Sequence, residues 1–219
     1  MIKIAVATNI KFYNNTLPIL LPSLLNCGIK PSDISVFIAG CDSYKKDISS
    51  GIEFINLEQN SFEYSALIEI CEKEMESEYW FLIHDTCKVG INFKNLLYNI
   101  PENKPEKIAL RSFPSMSIGS YRYDYLMSIK EKLFSIKNTD YSENALNHWK
   151  HWGVPNEDFI LWKTDPLPII YNNIDDCIVL DYNNWYNSSS QRRTEYYKSL
   201  DLYKNKSNWG QSHILKRNL

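Results

Sequence analysis

Residues 79–90, Tyr-Trp-Phe-Leu-Ile-His-Asp-Thr-Cys-Lys-Val-Gly, carry a run of large apolar side chains that stops abruptly at His84 and Asp85. Trp80, Phe81, Leu82 and Ile83 are too continuous for a half-exposed strand and too few for a helix, so they predict a central strand covered on both faces. Such strands belong to open α/β sheets, which bind their ligands beyond the carboxyl ends of the strands. Asp85 stands at that end. Two readings of it follow: a carboxylate delivered to a site, or an Asp that caps the next turn.

Upstream of this run, residues 2–8 predict a first strand, and Thr16 to Cys27 a helix with Pro18 and Pro22 near its start and Gly28 at its stop. Ile34 to Ala39 reads as a second strand, Gly40-Cys41-Asp42-Ser43 as a turn, and Ile52 to Leu57 as a third strand. From Phe62 to Met75, the residues Phe62, Ala66, Leu67, Ile70 and Cys71 fall on one helical face. Strands alternating with helices call for a mostly parallel sheet with right-handed crossovers.

Past residue 90 the pattern changes. A short helix is predicted from Phe93 to Tyr98, a Pro-rich turn at Pro101 to Pro105, a strand at Ile108 to Phe113, and helices over Tyr121 to Ile136 and Tyr141 to Trp152. Asn156-Glu157-Asp158 opens another helix, since Asn is a good N-cap and acids favour the first turn. Ile169-Ile170-Tyr171 and Cys177 to Leu180 read as short strands, Asn183 to Ser190 as a polar loop, and Arg192 to Lys204 as a helix. The expected fold is therefore an α/β domain over residues 1–182, with residues 183–219 as a loop and helical C-terminal extension packed on the same domain.

The chain has 219 residues, enough for one sizeable core, and at 44% hydrophobic and 14% aromatic it is not a disordered sequence. A net charge of −2 gives no general attraction for nucleic acid or acidic membranes. The first residues are broken by Lys3 and read as a strand rather than a signal peptide, and no later stretch reaches membrane-spanning length. Cys27, Cys41, Cys71, Cys87 and Cys177 are scattered without Cys-x-x-Cys pairs, which argues against a disulfide framework or structural zinc site and for a cytoplasmic location.

Thr8 and Asn9, Asp42, Asp85, and Ser115 to Ser117 all fall at the ends of predicted strands. In a parallel sheet those ends share one edge, and the convergence points to a ligand site. Thr8-Asn9-Ile10-Lys11 lacks both the dinucleotide fingerprint and the P-loop pattern, and no Gly-x-Ser-x-Gly elbow is present. His148 and His151 are spaced for a shared metal or for packing beside Trp149 and Trp152. Arg192, Arg193, Lys198 and Lys204 are spaced for phosphate or for a solvated helix face. Glu157 and Asp158 either complement a helix dipole or supply a general base.

Four segments, 4–9, 37–42, 80–86 and 116–122 with Asn156-Glu157-Asp158 after it, resemble in order and spacing a small GT-A-fold (Rossmann-like) glycosyltransferase. The resemblance covers roughly residues 2–165 and is to the inverting family-2-like enzymes and the compact ones of large viruses and phages. It implies that Thr8, Asn9 and Asp42 hold the nucleoside of a nucleoside diphosphate-sugar donor. It places His84 and Asp85 in the region of the acidic motif that binds a divalent ion, Mn2+ or Mg2+, on the diphosphate. Asp158, with Glu157 second, is the implied base for a glycan or other hydroxyl acceptor. His213 is the candidate C-terminal metal ligand, and Arg192 or Arg193 the candidate diphosphate contact. The motif departs from the family's: Cys87 and His84 stand where a second carboxylate is expected. A noncatalytic sugar- or protein-binding domain and a nucleotidyltransferase are the competing expectations, the second weakened by the missing Gly-rich basic loop.

Overall fold

Alternate residues of the first strand, β1 (Ile2–Asn9), face opposite ways, and both faces are apolar: Ile2, Ile4 and Val6 belong to one core cluster, Ala5 and Ala7 to another. The structure, a computed structural model, describes residues 1–61, 63–110, 118–137, 168–174, 177–180 and 191–207, with the side chains of 191–193 and 206–207 outside that description. After β1 come α1 (Tyr13–Asn26), β2 (Ile34–Ala39), β3 (Lys45–Ser49), β4 (Ile52–Leu57), α2 (Tyr64–Glu72) and β5 (Tyr79–His84). β6 (Cys87–Val89), α3 (Phe93–Leu97), β7 (Lys107–Ala109), β8 (Gly119–Arg122), α4 (Tyr123–Ser128) and α5 (Lys130–Phe134) follow. The remaining described elements are all strands or short turns: β9 (Ile169–Ile170), β10 (Cys177–Leu180), β11 (Gln191–Tyr197) and β12 (Leu202–Ser207).

An eight-stranded sheet runs β3-β4-β2-β1-β5-β8-β7-β9. Its centre, β4, β2, β1 and β5, is parallel, while β3 at one edge and β8 on the far side of β5 are antiparallel to their neighbours. Helix α1 covers one face through Leu17, Leu20 and Leu24; α2, α4 and α5 cover the other through Leu67, Ile70, Leu126 and Leu133. Pro18 and Pro22 lie inside α1, but on its exposed side, where the carbonyls they leave unbonded face water. The helix stops as its sequence predicts: Ile29 N–H reaches Leu24 O at 3.1 Å and Gly28 N–H reaches Leu25 O at 2.9 Å, with Ile29 buried against the core.

A second, four-stranded sheet, β10-β11-β12-β6, is antiparallel throughout. It corrects the expected helix over Arg192 to Lys204, and with it the helical character of the C-terminal extension: this segment is a hairpin whose strands turn at Lys198–Asp201. Thr194, Tyr196, Tyr197 and Tyr203 are residue types that suit a pleated, half-buried surface. The hairpin gains its partner from β6, seen only in the folded chain, since Leu202 pairs with Val89 and Lys204 with Cys87. The expected helix from Tyr121 is also corrected: residues 119–122 are strand β8, and the helical part begins at Tyr123 and breaks at Ile129. No helix among the described residues is long and apolar enough to cross a membrane.

The two sheets are joined at Gly90. Gly90 N–H donates to Asp201 O at 2.7 Å, and the Asp201 carboxylate accepts from Asn92 N–H at 3.0 Å and Tyr196 O–H at 3.1 Å. A Cβ at position 90 would lie 2.2 Å from Asp201 Oδ2. Gly90→Ala is therefore expected to cost about 1–3 kcal/mol of stability in denaturant unfolding. Asp201→Gly in the same chain, at a φ of +50° that Gly accepts, is expected to recover part of the loss; no recovery would show that the clash is not its source.

Candidate active site at the carboxyl edge of the sheet

The parallel register brings the ends of β1, β2 and β4 abreast, with Asn9 beside Ala39 and Ala39 beside Leu57. β5 ends next to them, His84 lying beside Ala7, and Asp85 N–H donates to Ala7 O at 3.2 Å. Thr8, Asn9, His84 and Asp85, together with the Gly40-Cys41-Asp42 turn that follows β2, thus meet on one edge, as the alternating sequence predicts.

Asp85 is turned inward there. It is 8% exposed, and its Oδ2 accepts from Thr8 Oγ1 at 2.5 Å and from Thr16 Oγ1, on α1, at 2.8 Å. The backbone amides of Thr86 and of Asp85 itself lie near enough to favour its charged form. Burial pushes its pKa above the ordinary carboxylate value, against these hydrogen bonds, which hold it down.

The Asp42 turn is built differently. Gly40 has a φ of +77°, and a Cβ there would sit 3.3 Å from Asn9 Nδ2 and 3.8 Å from Asn60 Nδ2, so the glycine lets two carboxamides close over the turn. Gly40 N–H donates to Gln59 O at 3.1 Å and Cys41 N–H to Leu57 O at 2.9 Å. Asp42 itself is exposed. Two residues on, Tyr44 N–H donates to Glu58 Oε1 at 3.2 Å, its ring lies 5.1 Å below the Lys73 ammonium, and its hydroxyl is near enough to Glu69 to favour the charged carboxylate. Glu69 is 3% exposed on α2.

Gln59, Asn60 and Glu69 were not singled out from the sequence. Gln59 and Asn60 had a visible signal, for they follow β4 as Asp42 follows β2. The Gln59 carboxamide is shielded from solvent with no hydrogen-bond partner among the described residues for either polar atom. Glu69 had none: an acid in an amphipathic helix reads as solvated until Tyr44 is placed against it.

The C-terminal hairpin approaches the same edge. Asn205 N–H donates to Thr86 O at 3.0 Å, and β11 pairs Arg193 with Lys206, so the backbone of Arg192 and Arg193 runs level with the Asp85-Thr86 turn and past it. Glu157, Asp158, His213, His148, His151 and Ser115 to Ser117 lie outside the described residues, as do the side chains of Arg192 and Arg193.

As a metal site the described donors fit poorly. Asp85 is the one carboxylate at the end of β5, its Oδ2 already takes two hydroxyls, and its neighbours in sequence are His84, Thr86 and Cys87. Among the described residues no three His, Cys, Asp or Glu side chains group to hold an ion. The arrangement offers instead a polar, largely uncharged edge of hydroxyls and carboxamides, suited to hydrogen-bonding a neutral polar ligand.

Burial raises the Glu69 carboxyl above its ordinary 4.5, with Tyr44 partly offsetting the shift. The native state then holds that proton more tightly than the unfolded chain, a stabilisation complete below pH 4.5 and lost as pH rises through the folded value. Glu69→Gln, which cannot ionise, is expected to match the wild type in melting temperature below pH 4.5 and to gain on it as pH rises above that through the folded value. Parallel melting curves across that range would show that Glu69 is not buried as an acid. Neither a protein-family model nor a curated protein sequence matches the chain.

Proposed function

We propose that this chain is a glycosyltransferase of GT-A-like architecture that moves a sugar from a nucleoside diphosphate donor to a hydroxyl of a glycan or similar acceptor. One observation carries the reading: Thr8, Asn9, the Asp42 turn and the Asp85-Thr86 turn lie on one carboxyl edge of a parallel sheet, in the order the resemblance assigns to donor contacts. Asn9 with Asp42 flanks the nucleoside, Thr8 standing behind Asn9 with its hydroxyl turned to Asp85, and the Asp85-Thr86 turn adjoins the diphosphate. Arg192 and Arg193, on the strand that runs past that turn, supply its counter-charge.

In the proposed reaction the acceptor hydroxyl oxygen bonds the anomeric carbon as the bond to the diphosphate oxygen breaks. The hydroxyl proton passes to a carboxylate, Asp158 first and Glu157 second, and the displacement inverts the anomeric centre. A divalent ion, when bound, would neutralise leaving-group charge, but no step is assigned to one because the described donors do not make its site. A cytoplasmic location accords with the reading.

A noncatalytic sugar-binding domain of the same architecture is the second reading, and the internal engagement of Asp85 favours it. The two differ in turnover. A thermal-shift panel of UDP-, GDP- and dTDP-sugars, with and without manganese, is expected to give one donor that raises the melting temperature by about 5–10 °C at a hundredfold excess over Kd. With that donor, Asp158→Asn should keep the shift and lose at least about a hundredfold in nucleotide release. A donor shift with no release by the wild type selects the noncatalytic reading, and no shift with any donor sinks both.

A further inference from the structure

We infer that Asp85 is a positioning residue: it locks the two ends of the β1–α1 turn to the end of β5, and its carboxylate ligates neither a metal ion nor the diphosphate. The inference stands on the geometry of the junction and not on the transferase reading.

A carboxylate offers about four lone-pair sites. Thr8 Oγ1 and Thr16 Oγ1 both donate to Oδ2, at 2.5 and 2.8 Å. The backbone amides of Thr86 and Asp85 lie near enough to favour the charged form, the Asp85 N–H itself donating to Ala7 O at 3.2 Å. Each hydroxyl has one proton, and Thr16, which also lies 3.1 Å from Phe12 O, satisfies Asp85 only by turning its proton from that carbonyl. The donors are fixed by burial, Thr16 at 1% and Thr8 at 8% exposed. A cation would have to displace one of them to reach Oδ2.

Thr8 and Thr16 bracket one short segment. Between them Lys11 N–H donates to Asn9 Oδ1 at 3.0 Å, Phe12 N–H to Asn9 O at 2.9 Å and Ile10 N–H to Ala39 O at 3.0 Å. This turn is the lip of the candidate site, and α1 opens after it without a side-chain cap and without an acid in its first turn. A single carboxylate oxygen therefore holds both ends of the lip, and through them the position of Asn9.

The test is a melting cycle on the full chain with Asp85→Asn, Thr16→Val and the double variant, with Thr16→Ser as the conservative control. Manganese and inorganic pyrophosphate are titrated into each by calorimetry. Asp85→Asn and Thr16→Val are each expected to lower the melting temperature by about 5 °C. The double variant should fall well short of the summed losses, and Thr16→Ser should stay near the wild type. Any loss of pyrophosphate or manganese affinity in Asp85→Asn should reappear in Thr16→Val, whose buried side chain reaches no ligand. A tenfold loss of either ligand in Asp85→Asn with Thr16→Val unchanged overturns the proposal, and so do fully additive melting losses. If the chain binds neither probe, the melting cycle alone decides. If Asp85→Asn does not fold, a Thr8→Val and Thr16→Val cycle replaces it, since two donors to one oxygen must couple, and additivity there overturns the lock equally.

Discussion

Burial of β5 on both faces is the constraint from which the other features follow. Tyr79, Trp80, Phe81, Leu82 and Ile83 are all within 1% of complete burial, and alternate between the two core clusters. A strand in that position needs a covering layer on each side, which α1 and the small sheet supply on one face and α2, α4 and α5 on the other. It also needs every polar atom it carries to find a partner inside: Trp80 Nε1–H donates to Met75 O at 2.9 Å and Tyr79 O–H to Pro105 O at 2.6 Å. Other polar residues fall at the strand ends, so one edge of the sheet collects Thr8, Asn9, Asp42 and Asp85.

What happens to a carboxylate at that edge depends on how far it lies from water. Asp42 stays exposed, on a turn held through Tyr44. Asp85 sits one residue beyond a buried strand and is drawn in with it, where an unpartnered charge is far more costly than an unmade hydrogen bond. Two threonine hydroxyls and backbone amides answer that demand. Glu195 meets the same problem in the small sheet: it is fully buried and accepts from Tyr197 O–H at 2.5 Å. In both places a hydroxyl donor bonds the acid.

The central strands and the two crossover helices were legible because their apolar residues recur with the right period over enough length. β3, β8 and the hairpin were not, for three different physical reasons. β3 is an edge strand, Lys-Lys-Asp-Ile-Ser, exposed along its whole length; its charges guard an open edge and erase the apolar signal. β8 carries Gly119 and Ser120 into the middle of the sheet, where the buried Ser120 bonds through its hydroxyl to that of Tyr171, 51 residues away. The hairpin depends on a partner strand of three residues, β6, too short to register as a strand alone. For the site, the residue types at the strand ends could be read, but not their direction. Asp85 as ligand and Asp85 as internal partner differ only in whether Thr16, four residues into a helix that begins earlier than its sequence suggests, comes within reach.

The edge is consequently unequal in stiffness. The Asp85-Thr86 turn is bound on one side by the hydroxyls of Thr8 and Thr16 and on the other by Asn205, whose N–H reaches Thr86 O at 3.0 Å. Those contacts close loops of very different length, and both have to open before the turn can move. Among the described residues the 41–44 segment has fewer ties: past its anchor at Cys41 N–H it is exposed, and Tyr44 meets Glu58, Glu69 and Lys73. On the proposed reading, a ligand at this edge would meet more ties holding the wall at β5 and β1 than the one beyond β2. Affinity lost to ordering would arise at Asp42 and Tyr44, and geometric selectivity would arise at Asn9, whose place is set by the buried carboxylate it never touches.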